Sequence, residues 1–200
     1  MLGFVAEKEE GTNGNEIRYS RLATFLEFCK GMKVLGKPPS FATVTRDVYP
    51  ADTPPLTLPQ ALVIARSLAS AAAHLHARGI AHGDLYAHNI LVDRALLGPQ
   101  GVAGKDLETL ETGGGVKLGD LGAAFAYEKG GPTGSGIERL EVRAWACLVE
   151  ELLAMVPPNQ TTGDVGDTLR RLSVSCRGED VPETRPSFSE IYKTLMTLAK

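Results

Sequence analysis

The chain has 200 residues, a formal charge of −3 and a pI near 5.8. That balance lacks the basic field of a nucleic-acid binder. An apolar content of 43% and a charged content of 22% are those of a one-domain globular protein. No stretch is apolar for long enough to span a membrane, and no basic start leads into an apolar run at the N-terminus. The expectation is a cytoplasmic protein with no membrane partner. Cys29, Cys147 and Cys176 show no C-x-x-C spacing and read as buried thiols of a reducing compartment.

In chain order, residues 2–6 read as a short strand and Gly11 to Asn15 as a turn. Ile17 to Phe28 fits strand or helix equally. Gly36-Lys37-Pro38-Pro39-Ser40 is a breaker, which divides a segment 1–38 from a segment 39–200. Phe41 to Tyr49 is expected to be a short helix. Thr57-Leu58-Pro59-Gln60 has the form of a capping box, with Thr at the cap, Pro in the first turn and Gln closing it. Ala61, Ile64, Ala65, Leu68, Ala72 and Leu75 then share one helix face, and Gly79 is a plausible stop. A loop from His82 to Asn89 follows.

Asn89 to Asp93 reads as a strand. Residues 94–115 are a glycine-containing connector. Its Gly113-Gly114-Gly115 precedes a strand and lacks a following G-K-[ST], so it reads as a hairpin tip and not as a phosphate loop. Val116 to Gly119 is a further short strand. Ile137, Leu140, Ala144, Leu148 and Leu152 fit a buried helix ended by Pro157-Pro158. Val165, Leu169, Leu172 and Cys176 fit another. Ser187 to Glu190 is a second capping box, opening a helix with Phe188, Ile191, Leu195 and Leu198 on one face.

The segment His82-Gly83-Asp84-Leu85-Tyr86-Ala87-His88-Asn89 reads H-x-D-L-x-x-x-N. An Asp on such a loop can accept a proton from a hydroxyl, while the Asn holds a metal on phosphates. Phosphoryl transfer needs that pairing, because its catalysis is mostly positioning and charge neutralisation. The segment resembles the protein-kinase catalytic loop. Three later segments match the same family in its order. Asp120-Leu121-Gly122, after the strand at Val116, is similar to D-F-G. Glu141 to Leu152 is similar to the central helix of the kinase C-lobe, with Glu where Asp is usual. Arg185-Pro186-Ser187-Phe188-Ser189-Glu190-Ile191 is similar to the R-P-x-F-x-E-I that opens the final helix.

The resemblance implies an α+β, protein-kinase-like fold: a mostly helical C-lobe with a remnant β N-lobe, the latter and the hinge within residues 1–38. It implies ATP and Mg²⁺ as cofactors and a protein substrate, with the γ-phosphoryl group passing to a Ser/Thr hydroxyl. Asp84 would be the catalytic base. Asn89 and Asp120 would hold Mg²⁺ and the nucleotide phosphates, and Leu91 would lie under the adenine. Arg185 would pair with a buried Glu, for which Glu138 is nearest. Gly83 stands where the family carries Arg, which implies no switching by a phosphate in the segment after Asp120. Tyr86 stands where Ser/Thr kinases carry Lys. No G-x-G-x-x-G, V-A-I-K lysine or partner glutamate precedes the loop. The chain therefore reads as a truncated kinase that binds ATP weakly, the alternative being a pseudokinase that serves as an interaction module.

The remaining polar and aromatic residues have plainer readings. His82 reads as a core histidine bonded to backbone, and Trp145 as a core aromatic. His74, His76 and His88 read as helix-face and loop positions, with no zinc spacing.

Overall fold

Thr57 caps helix α1 (Leu58–His76) as its sequence predicts. Its hydroxyl accepts from the Gln60 N–H at 3.4 Å, and the Gln60 side chain accepts from the Thr57 N–H at 2.7 Å. The computed structural model describes residues 29–39, 47–50, 53–98, 115–178 and 184–198. The chain divides into two compact units, residues 1–31 and 32–200. Of the first, only the turn at residues 29–31 is described. The expected strand at 2–6, turn at 11–15 and segment 17–28 lie outside the described residues.

In the second unit the elements run β1 (Met32–Val34), α1, β2 (Ile80–Ala81), β3 (Ile90–Asp93), α2 (Arg94–Leu97), β4 (Val116–Leu118), β5 (Phe125–Ala126), α3 (Gly131–Ala154), α4 (Asp164–Arg177) and α5 (Phe188–Met196). The expected α+β composition is observed. Helix α1 is the central post. Its residues Ala61 to Arg66 are all buried, and it packs against α5, α3 and β4. The Trp145 indole, on α3, donates to the Ala65 carbonyl at 3.0 Å, so this core aromatic ties the two long helices together. Helix α4 lies along α3. Each fully buried Leu or Ile of this core contributes about 1.5–3 kcal/mol.

Two small sheets frame the His82 loop. The first is antiparallel in the order β1-β3-β4, with Leu91 opposite Val34 on one side and Lys117 on the other. The second pairs β2 with β5, Ile80 opposite Ala126. The expected strand at Asn89 starts one residue later, because Ala87–Asn89 forms a 3-10 turn. The connector opens with the short helix α2, capped by the Asp93 carboxylate on the Ala95 N–H. Residues 99–114, with Gly113 and Gly114, lie outside the described residues.

Three expectations need correction. Residues 41–46 are not described, but Val48 forms an antiparallel bridge with Lys37, so the end of that segment is extended and not helical. Pro50 follows Tyr49 and disfavours helix there. Helix α3 begins at Gly131, well before Ile137. Its buried stripe is Val142, Trp145, Ala146, Leu148, Val149 and Leu152, so Leu148 and Leu152 are buried as expected, while Leu140 is 67% exposed. At about 100° per residue, Leu140 and Val142 cannot face the same neighbour. Of the thiols, Cys176 is buried and its pKa is pushed up to about 12 by that burial, whereas Cys29 and Cys147 are half-buried.

Candidate active site

Helix α1 ends at His76, and the chain turns at Gly79 (φ +67°) into β2, which delivers His82 to the loop. His82 is fully buried. Its Nε2 donates to the Gly119 carbonyl at 2.9 Å and its Nδ1 accepts from the Asp84 N–H at 3.3 Å. This is the core histidine expected, and it joins the loop to the end of β4.

Asn89 is buried, and its amide nitrogen donates to both the carbonyl (2.9 Å) and the Oδ2 (2.8 Å) of Asp84. Both amide hydrogens are thereby committed, and the Asn89 oxygen is the atom available to a cation. The Gly119 N–H donates to the Asn89 carbonyl at 2.8 Å. Gly119 thus bonds both ends of the loop, and Asp120 is the next residue. Asp84 and Asn89 are in direct contact, and Asp120 is tied to them through one glycine. Asp120 adopts φ +50°, ψ 79° and accepts from the Gly122 N–H at 3.0 Å. A non-glycine residue in that region costs on the order of 1–3 kcal/mol, and such strain gathers at functional sites. Leu91, half-buried on β3, sits beside Gly119.

The donor set suits Mg²⁺. It offers one carboxylate and one amide oxygen, hard ligands of the kind that ion takes in small number beside phosphates and water. No cluster of three or more His, Cys, Asp or Glu among the described residues offers an all-protein metal cage.

Glu141 anchors the loop from below. It is buried on α3; one carboxylate oxygen accepts from the Gly83 N–H at 2.7 Å and the other from His76 Nε2 at 2.7 Å. Burial alone would raise its pKa. The His76 hydrogen bond, the Gly83 and His82 backbone donors and the His76 charge outweigh burial and hold it below the usual 4.5. The signal in the sequence was an acid beginning an apolar helical stripe. His76, read only as a helix-face position, is its partner.

Gly83 has φ +79°, and a Cβ there would stand 2.3 Å from the Ala123 carbonyl oxygen. Backbone geometry therefore disfavours any side chain here, including the Arg that the resemblance would place at this position. Gly83→Ala should destabilise the protein by roughly 2 kcal/mol or more through strain and displacement of residue 123. Thermal unfolding measures it, and an unchanged Tm would contradict the geometry.

The segment from Asp120 to Glu138 is largely regular. Leu121–Ala123 is a 3-10 turn, β5 pairs with β2, and α3 already includes Thr133 and Ser135. The Tyr127 hydroxyl donates to Glu138 at 2.6 Å. Burial, then the Glu138 hydrogen bond and charge, push its pKa well above 10. Glu138 is thus not the partner of Arg185. That guanidinium donates to the Arg139, Arg177 and Gly178 carbonyls at 3.1, 3.2 and 2.7 Å. It serves the carbonyl end of α4, where a cation is favoured.

His88, read as an ordinary loop position, is a junction. Its Nδ1 lies 2.8 Å from Asp47 Oδ1, its main-chain N–H donates to Asp47 Oδ2 at 3.0 Å, and its Nε2 lies 3.3 Å from Asp84 Oδ2. Tyr86 stacks on the ring at 5.8 Å and 18°. Burial lowers the pKa of His88. The hydrogen bond and charge of Asp47, then the charge and hydrogen bond of Asp84, outweigh burial and raise it above 6.5.

A cleft of about 540 Å³ borders the loop through Gly83, Leu85 and Tyr86, with Phe125, Leu140 and Arg143 among its other walls. A family model described as protein tyrosine and serine/threonine kinase matches residues 15–148. No curated protein matches the chain.

Proposed function

The chain belongs to the protein tyrosine and serine/threonine kinase family, and from that premise we propose that it transfers the γ-phosphoryl group of ATP to a Ser/Thr hydroxyl of a protein substrate at the Asp84–Asn89–Asp120 site. Asp84 Oδ2 accepts from Asn89, and Oδ1 takes the proton of the acceptor hydroxyl. The acceptor oxygen bonds to the γ-phosphorus as the bond to the bridging oxygen breaks, and ADP leaves. Asn89 and Asp120 would hold Mg²⁺, which would neutralise charge on the phosphates. Leu91 packs under the adenine. The protein acceptor lies along the cleft walled by Tyr86, Phe125 and Leu140, whose exposed apolar surface suits a peptide. Residues 39–200 supply the C-lobe, in a protein of the cytoplasm. Among the described residues no helix is long and apolar enough to cross a membrane.

The observation that carries this reading is the double hydrogen bond from the Asn89 amide to Asp84. It holds the proton acceptor and the metal-binding amide as one unit. A second reading is an interaction module without turnover. It is favoured by an uncharged Tyr86 at the position where Ser/Thr kinases carry Lys. Transfer of radiolabel from Mg-ATP to a generic protein acceptor separates the two. The kinase reading expects Mg²⁺-dependent label on Ser or Thr, with ATP affinity weaker than micromolar by calorimetry. No label on any hydroxyl leaves the interaction module.

A further inference from the structure

We propose that His88 is a positioning residue for Asp84, itself held in place by Asp47. The proposal rests on the phosphotransfer reading of the same loop. An Asp carboxylate turns freely about its last torsion unless both sides are restrained. Asn89 restrains Asp84 Oδ2 from one side at 2.8 Å, and His88 Nε2 approaches the same oxygen from another at 3.3 Å. Two contacts on one oxygen leave the other, Oδ1, turned toward an incoming hydroxyl.

The imidazole can do this only if its own plane is set. The Asp47 side chain is 1% exposed and grips His88 twice, at the ring and at the main chain. The Tyr86 ring stacked on the imidazole limits its tilt. Asp47 is 41 residues from His88, so the brace ties the stretch before α1 to the loop. A residue that only stapled two segments together would need the Asp47 bonds alone. The further contact with the carboxylate of Asp84 is what the structural role leaves unexplained.

The test is kinetic and spectroscopic. His88→Leu should lower kcat roughly 10- to 100-fold, the scale of a misplaced reacting group, and leave KM for Mg-ATP near its original value. His88→Gln, which keeps a donor, should recover part of the loss. Asp47→Ala should reproduce the His88→Leu loss, and the double variant should add little to it. The ¹³Cγ resonance of Asp84 should move in His88→Leu and less in His88→Gln. A His88→Leu protein with unchanged kcat would overturn the proposal. Should His88→Leu not fold, the same comparison is made with His88→Gln and Asp47→Asn. If the parent chain transfers no phosphate, the phosphotransfer reading fails, and the Asp84 resonance decides the positioning alone. Movement sustains it, and an unmoved signal overturns it.

Discussion

Replacing Asp84 by Asn is expected to reduce phosphoryl transfer by at least about 100-fold, the lower range of general-base contributions. Asn nearly preserves the shape of Asp, but it cannot take the hydroxyl proton. The variant should fold. The Asp84 carbonyl still accepts from the Asn89 amide, and its N–H still donates to His82 Nδ1. The loop remains pinned by His82 on the Gly119 carbonyl and by Glu141 on the Gly83 N–H. The expected signature is loss of kcat with nearly unchanged Tm and nucleotide affinity. Radiolabelled transfer beside thermal unfolding measures both. Retained turnover would remove Asp84 from the chemistry.

The second large effect is on stability. Glu141→Ala should cost about 3 kcal/mol or more, because it strands a buried imidazole and a backbone N–H together. For a chain of this size that lowers Tm by about 10 °C. The pH dependence has a definite sign. The folded pKa of Glu141 lies below its ordinary 4.5, so its contribution is fully present above about pH 4.5. It is lost as pH falls through the folded value. The parent protein should therefore lose stability in acid more steeply than Glu141→Ala does. Parallel acid titrations of the two would contradict this account of the anchor.

What could be read in the sequence depended on distance along the chain. Both capping boxes are local, a hydroxyl and a Gln or Glu within one turn, and both form with the expected partners. The pairing of Asp84 with Asn89 is local too. The His88–Asp47 and Glu141–His76 contacts span 41 and 65 residues, and nothing in either residue's neighbours announces its partner. The face of α3 was misread at Leu140 because an apolar residue signals burial only in aggregate. The neighbours that decide the buried side come from α1 and α4. Gly83 was legible as an absent Arg. That its φ is positive and that Ala123 lies against it depend on the turn after Asp120.

The central claim is that Asp84, Asn89 and Asp120 surround one metal–nucleotide site. Paramagnetic broadening of amide signals by Mn²⁺-ATP tests it most directly, since it reads proximity even at weak affinity. The account predicts selective broadening of the Asn89 side-chain amide and of the backbone amides at Gly119 to Gly122, relieved by Asp120→Ala. Broadening centred elsewhere, or loss of signal at Asp84 and Asn89 without Asp120, would contradict it.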